Sequence, residues 1–233
     1  MAPTTVRRTA RQRVREELTA EITEHGRAQL ATLGGAGISL RAIAREMGMS
    51  SSALFRYVPS RDALLTTLII DSYGSMADAA ETAEAAVHEQ SPTERWAAIC
   101  HAVRDWALVH PHEYALIFGS PIPGYAAPPD TIGPASRVPV LLSALLLDAP
   151  ADGAGTPQGG LAPEVLAAVT PVLATMPDGV APDLAVRGLM AWTYLFGAVS
   201  FELFGHRHGV VADPAAFFDH EVRRIARLLG LAT

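Results

Sequence analysis

The stretch SLRAIAREMGMSSSALFRYV, which runs from Ser39 to Val58, constrains the fold of this chain most strongly. It contains two short segments with apolar residues at helical spacing, and Gly48 separates them. Ser39 stands before the first segment and Ser50 before the second, where a serine side chain can cap a helix. Two short helices joined by a tight turn are the helix-turn-helix motif, so the sequence predicts this motif between residues 39 and 58.

The outward side of the second segment is small and hydroxylated. In a helix-turn-helix the second helix lies in the major groove of DNA, and bulky apolar side chains on its outer face would hold the backbone away. Hydroxyls and free backbone N–H groups at that helix end can bond phosphates and base edges. The residues predicted to act in this way are Ser50, Ser51, Ser52 and Ala53, whereas Leu54 and Val58 are expected to face inward.

The longer stretch LRAIAREMGMSSSALFRYVPSRDALL resembles the DNA-binding region of the tetracycline-repressor-like (TetR) transcriptional regulators. The family pattern is roughly L-x-x-I-A-x-x-x-G-V-S-x-x-x-L-Y-x-H-F-x-x-K-x-x-L-L, and this chain matches it at Leu40, Ile43, Ala44, Gly48, Ser50, Leu54, Leu64 and Leu65. Arg61 stands where the family has a phosphate-binding lysine, and it keeps the charge. Phe55 replaces a tyrosine and lacks its phenolic bond to phosphate, which Tyr57 could supply instead.

The resemblance implies an all-α chain of two domains. A three-helix helix-turn-helix DNA-binding domain with a basic N-terminal arm is expected at residues 1–60, and a helical effector-binding and dimerisation domain at residues 61–233. The segments HPHEYALIFGS and AWTYLFGAVSFELFGH are similar to a subgroup common in actinobacteria that carries a Trp-x-x-x-His-Gly motif. Here Trp192 is followed by Phe196 and Gly197, so the histidine is absent and no role is carried over for it.

The charge of the chain is divided unevenly along its length. Up to Arg61 there are ten arginines and five glutamates, whereas the remainder has eight arginines and nineteen acids, and there is no lysine. This division favours an N-terminal part that approaches a polyanion, although a solvated flexible tail at 7–15 is the alternative. The predicted DNA contacts are Arg7, Arg8, Arg11, Arg13, Ser39, Arg41, Ser50, Ser51, Ser52, Ala53, Phe55, Arg56, Tyr57 and Arg61.

Among these contacts the roles are expected to differ. The four arginines of the arm, Arg7, Arg8, Arg11 and Arg13, should mainly neutralise phosphates. Ser51, Ser52 and Arg56 should influence which sequence is chosen, and Arg41 could reach a base edge.

Apolar residues at helical spacing continue through the rest of the chain, without the alternation typical of strands. Helices are predicted at about 11–33, 61–88, 92–110, 112–118, 138–147, 161–176, 182–205 and 214–230. Pro171 is expected to kink or split the helix at 161–176. A Pro/Gly-rich loop at 119–134 is interpreted either as a lid over a ligand or as a simple connection, and a Pro/Gly-rich linker is expected at 149–160.

Aromatic and polar residues of the C-terminal part are candidates for an effector site, because small-molecule sites are apolar cavities with a few polar groups. The predicted ligand contacts are His101, Arg104, Trp106, Tyr114, Phe118, Trp192 and Phe196, with simple core packing as the alternative for each. Such a lining favours an apolar or aromatic effector over a highly charged one. The helix at 61–88 is expected to be the lever that the effector displaces.

The last two predicted helices each carry an apolar stripe. The predicted dimer contacts are Leu184, Leu189, Leu195, Val199 and Leu203 on one helix, and Val222, Ile225 and Leu229 on the other. Pairing the two helices across a two-fold axis would give a four-helix bundle. The alternative is that both stripes cover the core of their own protomer.

Metal binding and catalysis are not predicted. The histidine pairs at 110/112 and 206/208 lack the further ligands that a zinc site needs. Cys100 and His101 are adjacent, which aims them to different sides of a helix, and the sequence has no nucleophile elbow and no phosphate-binding glycine loop. No catalytic residue, metal or cofactor is therefore expected.

The sequence as a whole predicts a soluble, cytoplasmic regulator. A single cysteine allows no internal disulfide, and the most apolar stretch, Gly188–Phe201, is shorter than the roughly 18–20 residues of a membrane span. The favoured hypothesis is a homodimeric repressor that binds a palindromic operator and is released by a small effector. The alternative is a helical small-molecule-binding or scaffolding protein whose helix-turn-helix contacts protein rather than DNA.

Overall fold

The computed structural model describes residues 9–149 and 160–231, so Arg7, Arg8 and most of the predicted linker at 149–160 lie outside the described residues. Within the described ranges the regular structure is helical and without strands, which confirms the predicted all-α class. The α-helices are α1 Ala10–Leu33, α2 Leu40–Glu46, α3 Ser51–Leu54, α4 Arg61–Ala86, α5 Pro92–Val109, α6 Pro111–Phe118, α7 Ile132–Ala144, α8 Pro163–Ala168, α9 Thr170–Leu173, α10 Pro182–Leu203 and α11 Pro214–Leu229. Short 3₁₀ turns lie at Gly35–Gly37, Pro129–Thr131 and Leu145–Asp148.

The helix ends follow the capping chemistry of the sequence. Thr9 and Gln12 form a reciprocal capping box at the start of α1, and Gly34 ends that helix with a φ of 67°. Ser91 accepts a hydrogen bond from the backbone N–H of Glu94 at the start of α5. Pro171 stands in the first turn of α9, so the helix predicted at 161–176 is split, as expected, into α8 and α9.

The helix predicted at 138–147 begins earlier than expected. In the structure α7 starts at Ile132, and both Pro134 and Pro139 lie within it. Proline is tolerated in a first helical turn because the N–H groups there have no helical partner, so Pro134 does not prevent the earlier start. The 3₁₀ turn at Leu145–Asp148 then continues α7 where the sequence predicts more α-helix.

The chain divides into two compact units, and the division differs from the predicted boundary at residue 60. The first unit contains the chain up to Ser72 together with His112–Thr131, and the second contains Tyr73–Pro111 and Ile132–Thr233. Helix α4 therefore contributes residues to both units. The expectation that everything after residue 60 forms one domain is corrected by the contacts of the segment 112–131.

Those contacts lie within the first unit. Leu116, Ile122 and Tyr125 pack against the apolar core that the first four helices build around Ile22, Ile43, Leu54, Leu64 and Leu65. The Tyr125 hydroxyl lies 3.0 Å from that of Thr66. At Gly35 a Cβ atom would stand 2.6 Å from Ile122 Cδ1, so a side chain at position 35 would displace Ile122. The first part of the Pro/Gly-rich loop is thus a packed component of the helix-turn-helix unit.

The second unit is organised around α5, α10 and α11. The buried Trp96 indole donates a hydrogen bond to the carbonyl of Val222 over 3.1 Å, which fixes α5 against α11. Ile99, Val103, Leu195 and Phe218 are buried in the same unit. Ion pairs of this unit, such as Arg104 with Glu202 and Arg223 with Glu94, join parts of the chain that are distant in sequence.

Two helical stretches of the described chain, Pro129–Asp148 and Pro182–Leu203, reach the length and hydropathy of a membrane span. The second includes the apolar stretch Gly188–Phe201 and extends beyond it at both ends. Core helices of soluble proteins pass the same test. On α10 one face is buried while the other carries exposed apolar residues, and this two-sided pattern raises the mean hydropathy without requiring a bilayer.

Candidate nucleic-acid interface and effector cavity

The helix-turn-helix is held by hydrogen bonds from the predicted caps. The Ser39 hydroxyl accepts from Ala42 N–H, and the Ser50 hydroxyl accepts from Ala53 N–H at 3.2 Å. The turn between α2 and α3 passes through Gly48 with a φ of 64°, a conformation that glycine adopts without strain. Ser39 and Ser50 therefore act first as helix caps, and any contact they make with DNA must share the same hydroxyls.

We call residues 51–58, which contain α3 and the turns after it, the recognition segment. This segment presents the outward face that the sequence predicts. Leu54 and Val58 are buried in the unit's core, which confirms that they face inward. The exposed residues are Ser52, Phe55 and Arg56, while Ser51, Ala53 and Tyr57 are partly buried. Regular α-helix ends at Leu54, and hydrogen-bonded turns carry the chain on to Val58.

Six arginines around this segment are exposed and form no ion pair with any described carboxylate. They are Arg11, Arg13, Arg15, Arg41, Arg45 and Arg56. Arg45 was missed in the sequence, although its position one helical turn after Arg41 places it on the same face of α2. An unpaired guanidinium surface of this kind suits phosphate, which binds the planar fork of arginine in two-pronged geometry.

Helix α1 forms one wall of a groove beside the recognition segment. Arg11, Val14, Arg15, Arg56 and Tyr57 line this groove together with Ala10, and its volume is about 360 Å³. The Arg15 guanidinium also reaches the carbonyl of Arg56 at 3.5 Å, so Arg15 supports the recognition segment directly. Sequence reasoning missed Arg15, because only the fold brings α1 to that segment.

Arg61 does not present a free guanidinium. Its Nη2 donates to the carbonyls of Gly35 and Ala36 at 2.9 and 3.2 Å, and its Nη1 lies 3.8 Å from Asp62. The phosphate contact predicted for Arg61 stays a prediction, and a phosphate would have to share a guanidinium that already binds two carbonyls. Arg61 ties the turn after α1 to the start of α4, and we assign it that structural role.

The second unit contains a cavity of about 230 Å³. Its lining is mostly apolar and comes from α5, α7, α9, α10 and the turns after α7 and α9. The described lining residues are Trp96, Pro139, Leu142, Ser143, Leu146, Val172, Thr175, Met176, Gly188, Leu189 and Trp192. None of these side chains is charged, so the cavity suits a neutral, apolar molecule.

Comparison with known proteins identifies the family. The tetracyclin repressor-like, C-terminal domain family matches residues 96–225. The HTH-type transcriptional regulators Rv1816 of Mycobacterium tuberculosis (strain ATCC 25618 / H37Rv) and Mb1846 of Mycobacterium bovis (strain ATCC BAA-935 / AF2122/97) are each 39% identical to this chain over an alignment of 229 residues that covers 94% of this chain and 95% of theirs. The chain belongs to the TetR family of transcriptional regulators.

Solved structures agree with the TetR assignment. The regulatory protein SCO4313 is 37% identical, with a TM-score of 0.76, and the match covers 93% of this chain and 98% of that protein. The TetR family transcriptional regulator PfmR from Thermus thermophilus is 16% identical with a TM-score of 0.53, over 91% of this chain and 99% of that one, and shows the shared fold. The family and the relatives that match are transcriptional regulators and not enzymes.

The predicted ligand set of this TetR regulator is not brought together by the fold. Of the seven residues, Trp192 alone is among the described lining residues of the cavity, and Phe196 packs on it with ring centroids 5.7 Å apart. Tyr114 and Phe118 belong to the first unit, where their rings are 5.0 Å apart. The effector prediction is therefore corrected for these two residues.

The other three predicted ligand contacts are occupied elsewhere in the second unit. His101 lies 3.1 Å from Asp219, and Arg104 binds Glu202 through two hydrogen bonds of 2.6 and 2.8 Å. The Trp106 indole donates to the Ser75 hydroxyl at 3.0 Å. These polar groups have protein partners and do not line the cavity.

The predicted dimer contacts need a similar correction. Five of the eight, namely Leu184, Leu195, Val199, Val222 and Leu229, are buried in the core of their own protomer. Leu189 lines the cavity, while Leu203 and Ile225 are half-buried. Helix α10 is apolar on two faces, and residue spacing alone could not show which face turns inward.

A different apolar group is exposed on the same two helices. It consists of Met190, Tyr194, Phe201, Phe204, Phe217 and Leu228, which we call the exposed apolar set. The Tyr194 hydroxyl donates to Glu221, which also binds Arg207 at 2.7 Å. Burial, followed by the hydrogen bond to Glu221, raises the pKa of Tyr194 to about 12.

Proposed function

We propose that this TetR protein is a homodimeric repressor that binds a palindromic operator and releases it when a small apolar or aromatic effector binds. The observation that carries this proposal is the apolar cavity of about 230 Å³ in the second unit. The chain also carries a recognition segment surrounded by unpaired arginines. A cavity for a small molecule and a surface for a polyanion are what a ligand-controlled DNA-binding protein requires.

On the DNA side, the exposed arginines divide into two roles. Arg11, Arg13, Arg41 and Arg45 supply phosphate neutralisation, which is sequence-independent and sensitive to salt. Ser52, Phe55 and Arg56 are the exposed residues of the recognition segment, so they supply base contacts. Arg7 and Arg8 retain their expected role in the arm as part of this proposal.

On the dimer side, the exposed apolar set replaces the contacts predicted from sequence. Met190, Tyr194 and Phe201 lie on α10 at intervals of four and seven residues, which places them on one side of the helix, and Phe204 follows as its C-cap. Exposed apolar groups of this kind mark protein interfaces. A two-fold pairing of these residues would give the two recognition helices that a palindrome requires.

The dimer proposal is tested with Phe201→Glu. A carboxylate in the proposed interface should give a monomeric mass in solution at micromolar concentration and should abolish operator binding. Val210→Glu is the matched control, because Val210 is exposed but lies outside α10 and α11. Dimer formation by Phe201→Glu equal to that of Val210→Glu would contradict the interface.

Release requires that the effector binds one conformation of the protein more tightly than another. Typical coupling free energies are about 1–3 kcal/mol. Helix α4 is continuous from Arg61 to Ala86 and contributes residues to both units, so it is the element through which we propose that the two sites communicate.

The release proposal is tested on an operator selected from a pool of random duplex DNA. Hydrophobic compounds are screened for loss of the protein–DNA complex, and the dose of an active compound is compared between wild type and Trp192→Ala. The variant should need a higher dose, whereas Trp106→Phe, which alters a tryptophan outside the described lining, should not. An equal dose in wild type and Trp192→Ala would place the effector elsewhere.

The salt dependence of binding separates this proposal from a helix-turn-helix that contacts protein. Binding to duplex DNA should weaken with a slope of about 0.9 per phosphate contact in a plot of log affinity against log salt. A chain that uses the motif for protein contacts would show no salt-dependent shift of duplex DNA.

A further inference from the structure

We propose that the effector is an uncharged molecule that carries a hydrogen-bond acceptor and that this acceptor binds the indole N–H of Trp192. The inference rests on the proposed effector cavity and states which chemical class of ligand the cavity binds. It makes Trp192 the residue that distinguishes acceptor-bearing molecules from pure hydrocarbons.

The three tryptophans of the second unit provide the evidence. The indole of Trp96 donates to the Val222 carbonyl at 3.1 Å, and that of Trp106 donates to the Ser75 hydroxyl at 3.0 Å. The indole nitrogen of Trp192 is buried and has no hydrogen-bond partner among the described residues. A buried donor without a partner costs about 1–3 kcal/mol, so a ligand that satisfies it recovers part of this cost.

Other polar groups of the lining do not offer a comparable donor. The Ser143 hydroxyl donates to the carbonyl of Val140 at 2.8 Å, and the Thr175 hydroxyl donates to that of Val172 at 2.7 Å. Each hydroxyl hydrogen is therefore committed to the backbone. The N–H of Trp192 is the side-chain donor left for a ligand within the described lining.

Charge in the effector is disfavoured by the same lining. The described lining residues include no arginine, histidine, aspartate or glutamate that could compensate an ionised group. Moving an uncompensated charge from water into such a cavity is far more costly than moving a neutral carbonyl or ether oxygen. The preferred ligand is thus neutral, with its acceptor as the main polar feature.

Size limits the ligand further. A cavity of about 150 Å³ accommodates benzene, so the volume of about 230 Å³ here suits a molecule of about two fused rings. Gly188 lies one turn before Trp192 on α10, and a Cβ atom there would stand 2.8 Å from Leu146 Cδ1. Glycine at this position therefore allows Leu146, itself a lining residue, to pack close to α10 beside the indole.

The test uses two planar probes of nearly equal shape, 2-acetylnaphthalene and 2-isopropenylnaphthalene, in which a carbonyl oxygen is replaced by a CH₂ group. Calorimetric titration of the full chain without DNA should show the ketone binding about five- to tenfold more tightly, the value of one net hydrogen bond. In Trp192→Phe this preference should be lost or reversed, because the buried ketone oxygen then has no donor. Trp106→Phe should keep the wild-type ratio, because the indole of Trp106 already has a partner.

Gly188→Ala provides a steric control. Its methyl group should push Leu146 and change the cavity, so both probes should bind more weakly while their ratio is kept. Equal binding of the two probes to wild type, no binding of either, or a ratio that survives Trp192→Phe would each overturn the proposal. Since no DNA is present, acceptor-dependent binding that fails to release the operator would refute the proposed release mechanism and leave the ligand assignment standing.

Discussion

Arginines in the two units of this TetR protein occupy opposite surroundings. Around the helix-turn-helix, Arg11, Arg13, Arg41, Arg45 and Arg56 are exposed and have no carboxylate partner among the described residues. In the second unit, six arginines each contact a carboxylate at 2.6–2.9 Å, and they are Arg95, Arg104, Arg137, Arg187, Arg207 and Arg223. Most arginines around the helix-turn-helix are thus unpaired, whereas most arginines of the second unit are paired with a carboxylate.

The difference shows how a protein of net charge −6 can present a surface for a polyanion. Acids of the second unit are numerous enough to pair its arginines and leave an excess of negative charge, whereas the helix-turn-helix carries few acids. Paired arginines are held in place as cations. The hydrogen bonds that Arg137 donates to Glu81 and Asp78, for example, raise the pKa of its guanidinium.

Pairing, rather than position in the sequence, separates the two groups of arginines. Arg27 lies in the first unit but binds Asp71 at 2.7 Å, which ties α1 to α4. Arg61 is likewise engaged by backbone carbonyls. Both are cations of the basic N-terminal region, and both have partners within the first unit.

Among substitutions that test the difference between paired and unpaired arginines, Arg104→Ala is expected to have the largest effect on stability. The Arg104 guanidinium and the carboxylate of Glu202 are both about nine-tenths buried, so Arg104→Ala leaves a poorly solvated, unpaired charge. The free energy of unfolding should fall by about 3 kcal/mol, measured by urea denaturation at fixed protein concentration. Arg224→Ala, which removes an exposed arginine of α11, should change it little. Similar losses in the two variants would show that pairing does not distinguish these arginines.

On the unpaired side, Arg56→Ala and Arg45→Ala should alter DNA binding and leave stability nearly unchanged. Arg56→Ala should weaken operator binding by about 2 kcal/mol and affect random duplex less. Arg45→Ala should weaken both equally and reduce the salt slope by about 0.9. Mobility-shift titrations at several salt concentrations measure these effects. An Arg56→Ala loss that is equal for operator and random DNA would remove its base-reading role.

The sequence was sufficient for those parts of the fold that depend on local chemistry. Ser39, Ser50 and Gly48 define the helix-turn-helix because capping and positive φ act over a few residues. The pairing of arginines could not be predicted in the same way. Arg104 and Glu202 are 98 positions apart, and Arg223 and Glu94 are 129 apart, so only the tertiary fold brings them together.

The proposed effector site shows the same limit of prediction from sequence. Sequence reasoning selected aromatic residues, yet most of the cavity is lined by residues such as Leu142, Leu146 and Met176, which are common in any core. Trp192 was found because it is aromatic, but the missing partner of its indole is visible only in the structure. On α10 the two apolar faces have similar composition, and only burial separates Leu195 and Val199 from Tyr194 and Phe201.

The smallest expected effect is on the pH dependence of the free energy of unfolding, through Glu84. The carboxylate of Glu84 lies 2.6 Å from the Arg95 guanidinium and 3.1 Å from the His88 ring. Burial alone would raise the pKa of Glu84, but the hydrogen bonds from His88 and Arg95 outweigh it and lower that pKa below its ordinary value. The folded state thus prefers the ionised form, so the stabilisation is complete above the ordinary glutamate pKa of about 4.3 and is lost as the pH falls through the folded value.

Glu84→Gln should therefore lower the free energy of unfolding by about 1.5 kcal/mol near neutral pH, because it removes the charge from hydrogen bonds to Arg95 and His88. The difference between wild type and variant should shrink as the pH is lowered below about 4.3, where the wild-type carboxylate is protonated as well. Urea denaturation across the acid range measures it, and Glu89→Gln, at an exposed glutamate near the end of α4, serves as the control. A difference that stays constant with pH would mean that Glu84→Gln changes stability through packing. The negative charge of Glu84 would then contribute little to the stability that its pair with Arg95 provides.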